Sequence, residues 1–226
     1  MIDLNYFLKQ KLHLYDYATK IVYAKCLGTK SCNPKPASLF FDMDSLTNQL
    51  LIAMPNLKDP FFSQAVVYIC EHGKDGAFGI IINKKYHDLK LNTFFKGLVQ
   101  INDEFRRYEN TIYFGGPVLV GKGLVFHKES VKTKESIKIS ESAYITSNLN
   151  ILKELDDGID SRFKLVLGHA GWSRGQLENE LKNGDWLVQN ATDDFLFNTP
   201  PKKLWSYATS SLGFDTNNLV GVSGRA

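Results

Sequence analysis

The segment FKLVLGHAGWSRGQLENELKNGDWL, Phe163 to Leu187, decides how the chain is read. Its first five residues are apolar and β-rich, so Phe163–Leu167 reads as a buried strand running into a glycine-bounded turn at Gly168 and Gly171. Ser173 followed three residues later by Gln176 has the form of a capping box. Leu177 and Leu181 have the one-turn spacing of a short amphipathic helix, and Gly184 is a fitting terminator. Strand, Gly-Trp turn and helix start therefore follow one another with almost no slack. Such a junction leaves backbone N–H groups that can hold an anion. The structural alternative makes Trp172 a core anchor, with the glycines giving it room.

Outward from this block, Gln64–Glu71 and Gly76–Asn83 are β-branched and alternating, and His72–Asp75 supplies turn chemistry between them, so the pair reads as a hairpin. Further strands are expected at Thr111–Phe114, Leu124–His127, Ser136–Ile139, Ala143–Thr146 and Phe195–Phe197. Helices are expected at Asn92–Leu98, Asn148–Leu155, Gly175–Lys182 and Pro200–Leu212. The last has Thr199 as cap, Pro200 at its first position, Leu204, Ala208 and Leu212 on one face, and Gly213 as stop. Strands mostly adjoin strands, which favours an α+β protein over a doubly wound one.

Five separated segments, taken in order, resemble the YqgE/AlgH family of bacterial proteins. They are Leu50–Phe62 (LLIAMPNLKDPFF), Val66–Lys84, the YFGGPV turn at Tyr113–Val118 with Leu124–His127 after it, Gly168–Leu187, and the C-terminal GVSGRA. The resemblance spans Met43 to Ala226. It implies a single compact α+β domain of bifurcated, strongly coiled, mostly antiparallel sheets with flanking helices, and a function uncharacterised despite a regulator label on some members. His169 departs from the tyrosine usual in the family.

The 184 residues from Met43 onward suit one domain with a real core. Residues 1–42 fall outside the resemblance and carry six lysines against three aspartates, a net +3 equal to that of the whole chain. The body is formally neutral, which argues against a nucleic-acid partner, since a basic footprint belongs on the folded domain. The segment reads as a poorly ordered extension translated from a misassigned start, with an amphipathic helix over Leu4–Ala24 as the alternative. It has no signal-peptide core, and no run in the chain approaches a membrane span. Cys70 is the only cysteine of the body, so a disulfide-stapled secreted domain is disfavoured and a reducing cytoplasm is expected.

Chemistry-bearing candidates are few. GPVLVGKG, Gly116–Gly123, has P-loop spacing up to the lysine, but Gly123 replaces the Ser or Thr and LVFH continues as strand, so it is rejected as an NTPase signature. YICEHGKDG places Cys70 and His72 two apart, on one face of a regular strand, with Glu71 opposite. A thiol beside an imidazole is a minimal nucleophile pair; a buried Cys and a turn-holding His is the plainer reading. Zinc would need His127 or His169 to converge from other strands, and no metal or other cofactor is expected. Asn83, Gly115, Gly116, Pro117, Gly171, Trp172 and Gln176, with Glu71, His72 and His127, are the candidates for a shared groove that binds a small polar molecule or a peptide. Three function classes follow: a non-catalytic ligand- or protein-binding regulatory module, a hydrolase or transferase using Cys70 and His72, and the transcriptional regulator of the family label. The absence of a complete triad, metal set or acid/base pair favours the first.

Overall fold

The structure is a computed structural model that describes residues 45–86, 108, 112–128, 135–154 and 163–213. Nine strands lie in the order β6-β7-β5-β8-β3-β2-β1-β9, with β4 attached to β8. They are β1 (Gln49–Ala53), β2 (Val66–Gly73), β3 (Gly76–Ile81), β4 (Ile112–Phe114), β5 (Val118–Lys128), β6 (Ile137–Lys138), β7 (Ala143–Thr146), β8 (Phe163–Ser173) and β9 (Trp186–Asn190). Helices α1 (Ile151–Glu154), α2 (Gln176–Lys182) and α3 (Pro201–Ser211) flank them, with a π-helical turn at Asp194–Asn198. The expected helix at Asn92–Leu98, residues 1–44 and the GVSGRA end lie outside the described residues.

β8 does not end at Leu167 as expected; it continues through Gly168 to Ser173 and changes partners on the way. Leu165–Leu167 pair in parallel with β4, whereas Ala170–Ser173 pair antiparallel with β3. One edge of β8 thus forks into two sheets, and all the strand pairings except β4 with β8 are antiparallel. The α+β, bifurcated and strongly curled architecture is as expected.

Backbone crowding explains the fork. A Cβ on Gly115 would stand 2.3 Å from the Gly168 carbonyl oxygen, and one on Gly116 2.3 Å from the His169 backbone. Gly116 (φ 146°) and Gly168 (φ 70°) also hold conformations that side chains disfavour. Two turns therefore cross at van der Waals distance where the sheets part.

The curl folds the sheet around three apolar clusters. Leu51, Val67, Ile69, Trp172 and Trp186 pack with Leu177 of α2 on one face. Leu50, Tyr68, Cys70 and Ile80 on the other face meet Phe126 and Val166 of the second sheet, and Phe197 and Leu204 close the bottom. Ile112, Val125, Leu165 and Leu167 pack on α1.

Two expectations are corrected. Phe195–Phe197 is a π-helical turn rather than a strand: the Thr199 N–H donates to the Asp194 carbonyl five residues back, so the backbone bonds close locally instead of on a neighbouring strand. α3 begins at Pro201, with Pro200 as its extended cap and Gly213 (φ 82°) just past its end. β1 and β9 were not marked by alternation. β1 is buried on both faces along nearly its whole length, and a short continuous apolar run carries no period.

Candidate functional site

His72, Ala77 and Trp172 are neighbours along one rung of β2, β3 and β8. α2 lies over that rung, so His72, Trp172 and Gln176 do come together, under a helix rather than in an open groove. His72 Nε2 meets Glu178 Oε1 at 3.0 Å, and the Leu46 N–H donates to His72 Nδ1 at 3.0 Å. The acceptor role of Nδ1 places the proton on Nε2, which donates to the carboxylate. Both ring nitrogens are engaged. Ser45 Oγ donates to the His72 carbonyl and the His72 N–H to Thr47 Oγ1, so this residue anchors the start of the described chain.

Gln176 and Glu180 are one turn apart on α2. Glu180 Oε2 accepts both indole N–H groups, from Trp172 at 2.8 Å and Trp186 at 2.9 Å, while Oε1 accepts from Gln176 Nε2 at 2.9 Å. Gln176 Oε1 in turn accepts from the Ser173 N–H and hydroxyl, which is the return half of the expected capping box. The helix itself is capped by Gly175 at φ 74°. Trp172 is buried and its polar atom satisfied, so the side chains meant to greet a ligand hold the fold instead.

The expected Cys70 and His72 pair does not form. A bulge between Ile69 and Glu71 shifts the register, so Glu71 sits opposite Phe78 and His72 opposite Ala77. Cys70 consequently belongs to the cluster of Tyr68 and Phe126, while His72 turns to α2 on the other face. Burial pushes the Cys70 thiol far above its ordinary range, away from the thiolate a nucleophile needs. Its sulfur approaches the Tyr68 carbonyl at 3.7 Å. Glu71 is exposed at the strand end.

The remaining candidates scatter. Asn83 lies at the opposite end of β2, where Oδ1 accepts from the Val66 N–H at 2.8 Å and Nδ2 donates to the Gln64 carbonyl at 2.9 Å, pinning a turn with Gln64 at φ 56°. Gly115, Gly116 and Pro117 sit at the fork, and Gly171 pairs with Phe78. His127 is buried in the second sheet between Ser136 Oγ at 2.9 Å and the Lys128 carbonyl at 2.8 Å, stacked on Tyr144. Burial holds its pKa below the usual imidazole value, against the smaller upward pull of the Lys128 carbonyl. His169 packs on Phe78 with ring centroids 4.9 Å apart, and burial pushes its pKa down to about 4. Among the described residues no three His, Cys, Asp or Glu side chains are grouped to hold a metal, and no helix is long and apolar enough to cross a membrane.

The P-loop lookalike is also resolved. Gly116–Gly123 enters β5, and the register jumps between Val118, opposite His169, and Gly123, opposite Leu167. The residues between them bulge outward. Leu119 sits at φ 48° and is 42% exposed, while Val120 packs back against the first cluster.

A model of the AlgH-like family matches residues 50–217. The chain belongs to that family. The UPF0301 protein of Idiomarina loihiensis is 41% identical over 186 residues, spanning 81% of this chain and 100% of the relative. That of Pseudoalteromonas translucida is 38% identical over the same shares. The solution structure of the AlgH protein from Pseudomonas aeruginosa matches with a TM-score of 0.59 at 31% identity, covering 88% of this chain and 100% of that one. A crystal structure from Corynebacterium diphtheriae shares the fold, with a TM-score of 0.58 at 20% identity over 76% of this chain and 90% of that one. The names of these relatives carry no reaction.

Sequence reasoning missed three residues of interest. Glu178 and Glu180 were overlooked because helix carboxylates ordinarily face solvent; the signal was Gln176 and Glu180 at i, i+4 beneath two tryptophans. Lys164 was passed over as part of an apolar strand. A lone lysine inside FKLVL was itself the signal.

Proposed function

We propose that this family member is a non-catalytic module that binds another protein through the bulge of β5, Leu119 to Lys122. The observation that carries the reading is Leu119, a large apolar side chain held at φ 48° and 42% exposed. The left-handed conformation costs a non-glycine residue about 1–2 kcal/mol and persists where its surroundings over-determine it. Here the glycine crossing fixes one end, and Val120 packing into the core fixes the other. Bulges commonly serve to re-aim a side chain, and an exposed apolar residue on a rigid base is a fitting anchor for a partner. The polar side chains expected to line a small-molecule groove are engaged in internal hydrogen bonds, which favours a protein over a small ligand. No observation favours the alternative built on Cys70 and His72.

The test is a photo-crosslinking amino acid at position 119, introduced into the protein in its own cells. A discrete crosslinked partner, lost from the Leu119→Asp variant when probed from position 122, is the expected result. Diffuse crosslinking at position 119, or a partner retained by Leu119→Asp, rejects the reading. Circular dichroism of the variant checks that the fold is intact.

A further inference from the structure

The sheet ends differently on its two sides. At one end β6 is two residues long and carries Lys138; shortness and lysine are two ways in which proteins keep a sheet edge from pairing with another chain. At the other end β9 runs for five residues, WLVQN, with no charge and no proline. Among the described residues β1 is its only strand neighbour.

The phase of the hydrogen bonds fixes which backbone groups that edge presents. The Met54 N–H donates to the Asp185 carbonyl, one position beyond the pair of Ala53 and Trp186, while the Ala53 N–H turns the other way, to Ala65. Alternation then directs Leu187 and Gln189 at β1 and leaves the N–H and C=O groups of Trp186, Val188 and Asn190 pointing outward. Val188, the middle one, has an exposed side chain as well. α3 extends the same surface. Gln189 Nε2 donates to Ser211 Oγ at 3.0 Å, Tyr207 lies one turn earlier on that stripe of the helix, and Leu212 follows Ser211. Val188, Tyr207 and Leu212 are three of the five large apolar side chains left exposed among the described residues.

We infer that β9 is an interface at which a second copy of this chain pairs antiparallel, with Val188 on the two-fold axis. The register is self-complementary. Val188 exchanges both backbone bonds with the partner's Val188, and Trp186 and Asn190 stand opposite each other on either side of the axis. A two-fold axis sets a strand against its own reverse, and β9, without charges, opposes no like charges in doing so. The axis also brings α3 of both copies to the same face of the joined sheet. There Tyr207 and Leu212 add apolar area to a pairing that five residues alone would leave small. Strands β8, β3, β2 and β1 stand between β5 and β9, so this surface is distinct from the Leu119 bulge and is tested without it.

The experiment combines sedimentation equilibrium of the full chain under reducing conditions with amide hydrogen exchange on protein carrying isotope-labelled valine. Expected is a dimer in which the Val188 amide is protected and loses its protection on dilution. Val188→Lys and Val188→Asp should each weaken self-association about tenfold, and an equimolar mixture of the two should restore it, because opposite charges then meet across the axis. Circular dichroism checks that both variants are folded, and the exchange reading on the unmutated protein does not depend on them. A monomer at every concentration overturns the inference, and a monomer with a protected Val188 amide assigns the edge to a segment of the same chain instead. A dimer whose Val188 amide exchanges freely, or one not restored in the mixture, also overturns it.

Discussion

The indole N–H groups of Trp172 and Trp186 end on one oxygen, Glu180 Oε2, with the two rings edge-on at 6.2 Å. Phe62 packs against both, at 6.4 and 5.7 Å. One carboxylate on α2 therefore ties β8 to β9 across the first cluster. Glu180→Ala leaves two buried donors without an acceptor, at about 1–3 kcal/mol each. The expected result is a lower urea midpoint followed by tryptophan fluorescence, with Glu180→Gln losing less because it keeps an acceptor oxygen. A midpoint unchanged in Glu180→Ala would show that the indoles find other acceptors.

The fork in the sheet makes a second prediction, in which neighbouring glycines separate by position. Gly116→Ala drives a Cβ into the His169 backbone at 2.3 Å, where no flexible side chain can yield, so a loss above about 4 kcal/mol or a failure to fold is expected. Gly171→Ala meets only the Val118 Cγ2 at 4.0 Å and should stay within about 1 kcal/mol of the parent. Gly184 has open space around its Cβ position but φ 74°, so Gly184→Ala should cost an intermediate amount, about 1–2 kcal/mol. Thermal melts of the three variants check the order.

These glycines also show how far the sequence could be read. Gly168 and Gly171 marked a turn, and a turn is what isolated glycines ordinarily mean. That a strand passes straight through Gly168 depends on Gly115 and Gly116, fifty residues away in sequence, coming within contact distance. No local period encodes that. The bulge at Cys70 is of the same kind: alternation along YICEH is legible, but one extra residue reverses which face His72 occupies. The hairpin of β2 and β3, the strand at Ala143–Thr146 and the two C-terminal helices were legible because their periods and caps are local. The pairing of His72 with Glu178 under α2 was not, since it joins residues 106 apart, whereas the Glu180 bonds to Trp172, Gln176 and Trp186 are local and carried a signal.

His169 gives a pH dependence with a definite sign. Its pKa falls to about 4 in the folded chain against an ordinary value of 6.5, with burial as the cause. Between those values the unfolded chain binds the proton and the folded chain does not, so stability is lost as pH falls from 6.5 towards 4. At about 1.4 kcal/mol per unit the loss amounts to roughly 3 kcal/mol. His169→Phe removes the titrating group and keeps an aromatic ring against Phe78. Urea titrations at pH 7 and pH 4.5 should show a markedly smaller drop for the variant than for the parent, and parallel drops would assign the acid sensitivity elsewhere.

Cys70 and His72 answer to separate measurements because they face separate clusters. The buried, protonated Cys70 thiol should resist iodoacetamide in the native protein and react once denaturant opens the sheet, and Cys70→Ala should cost about 1 kcal/mol from a small cavity. His72→Ala removes the acceptor of the Leu46 N–H and the partner of Glu178, leaving a carboxylate part-buried beneath α2. Its effect should appear as faster hydrogen exchange at Leu46 and a loss of about 1–3 kcal/mol, with the reactivity of Cys70 unchanged. If His72→Ala instead altered the alkylation rate of native Cys70, the two side chains would have to communicate through the sheet. The bulge between Ile69 and Glu71 is what keeps them apart.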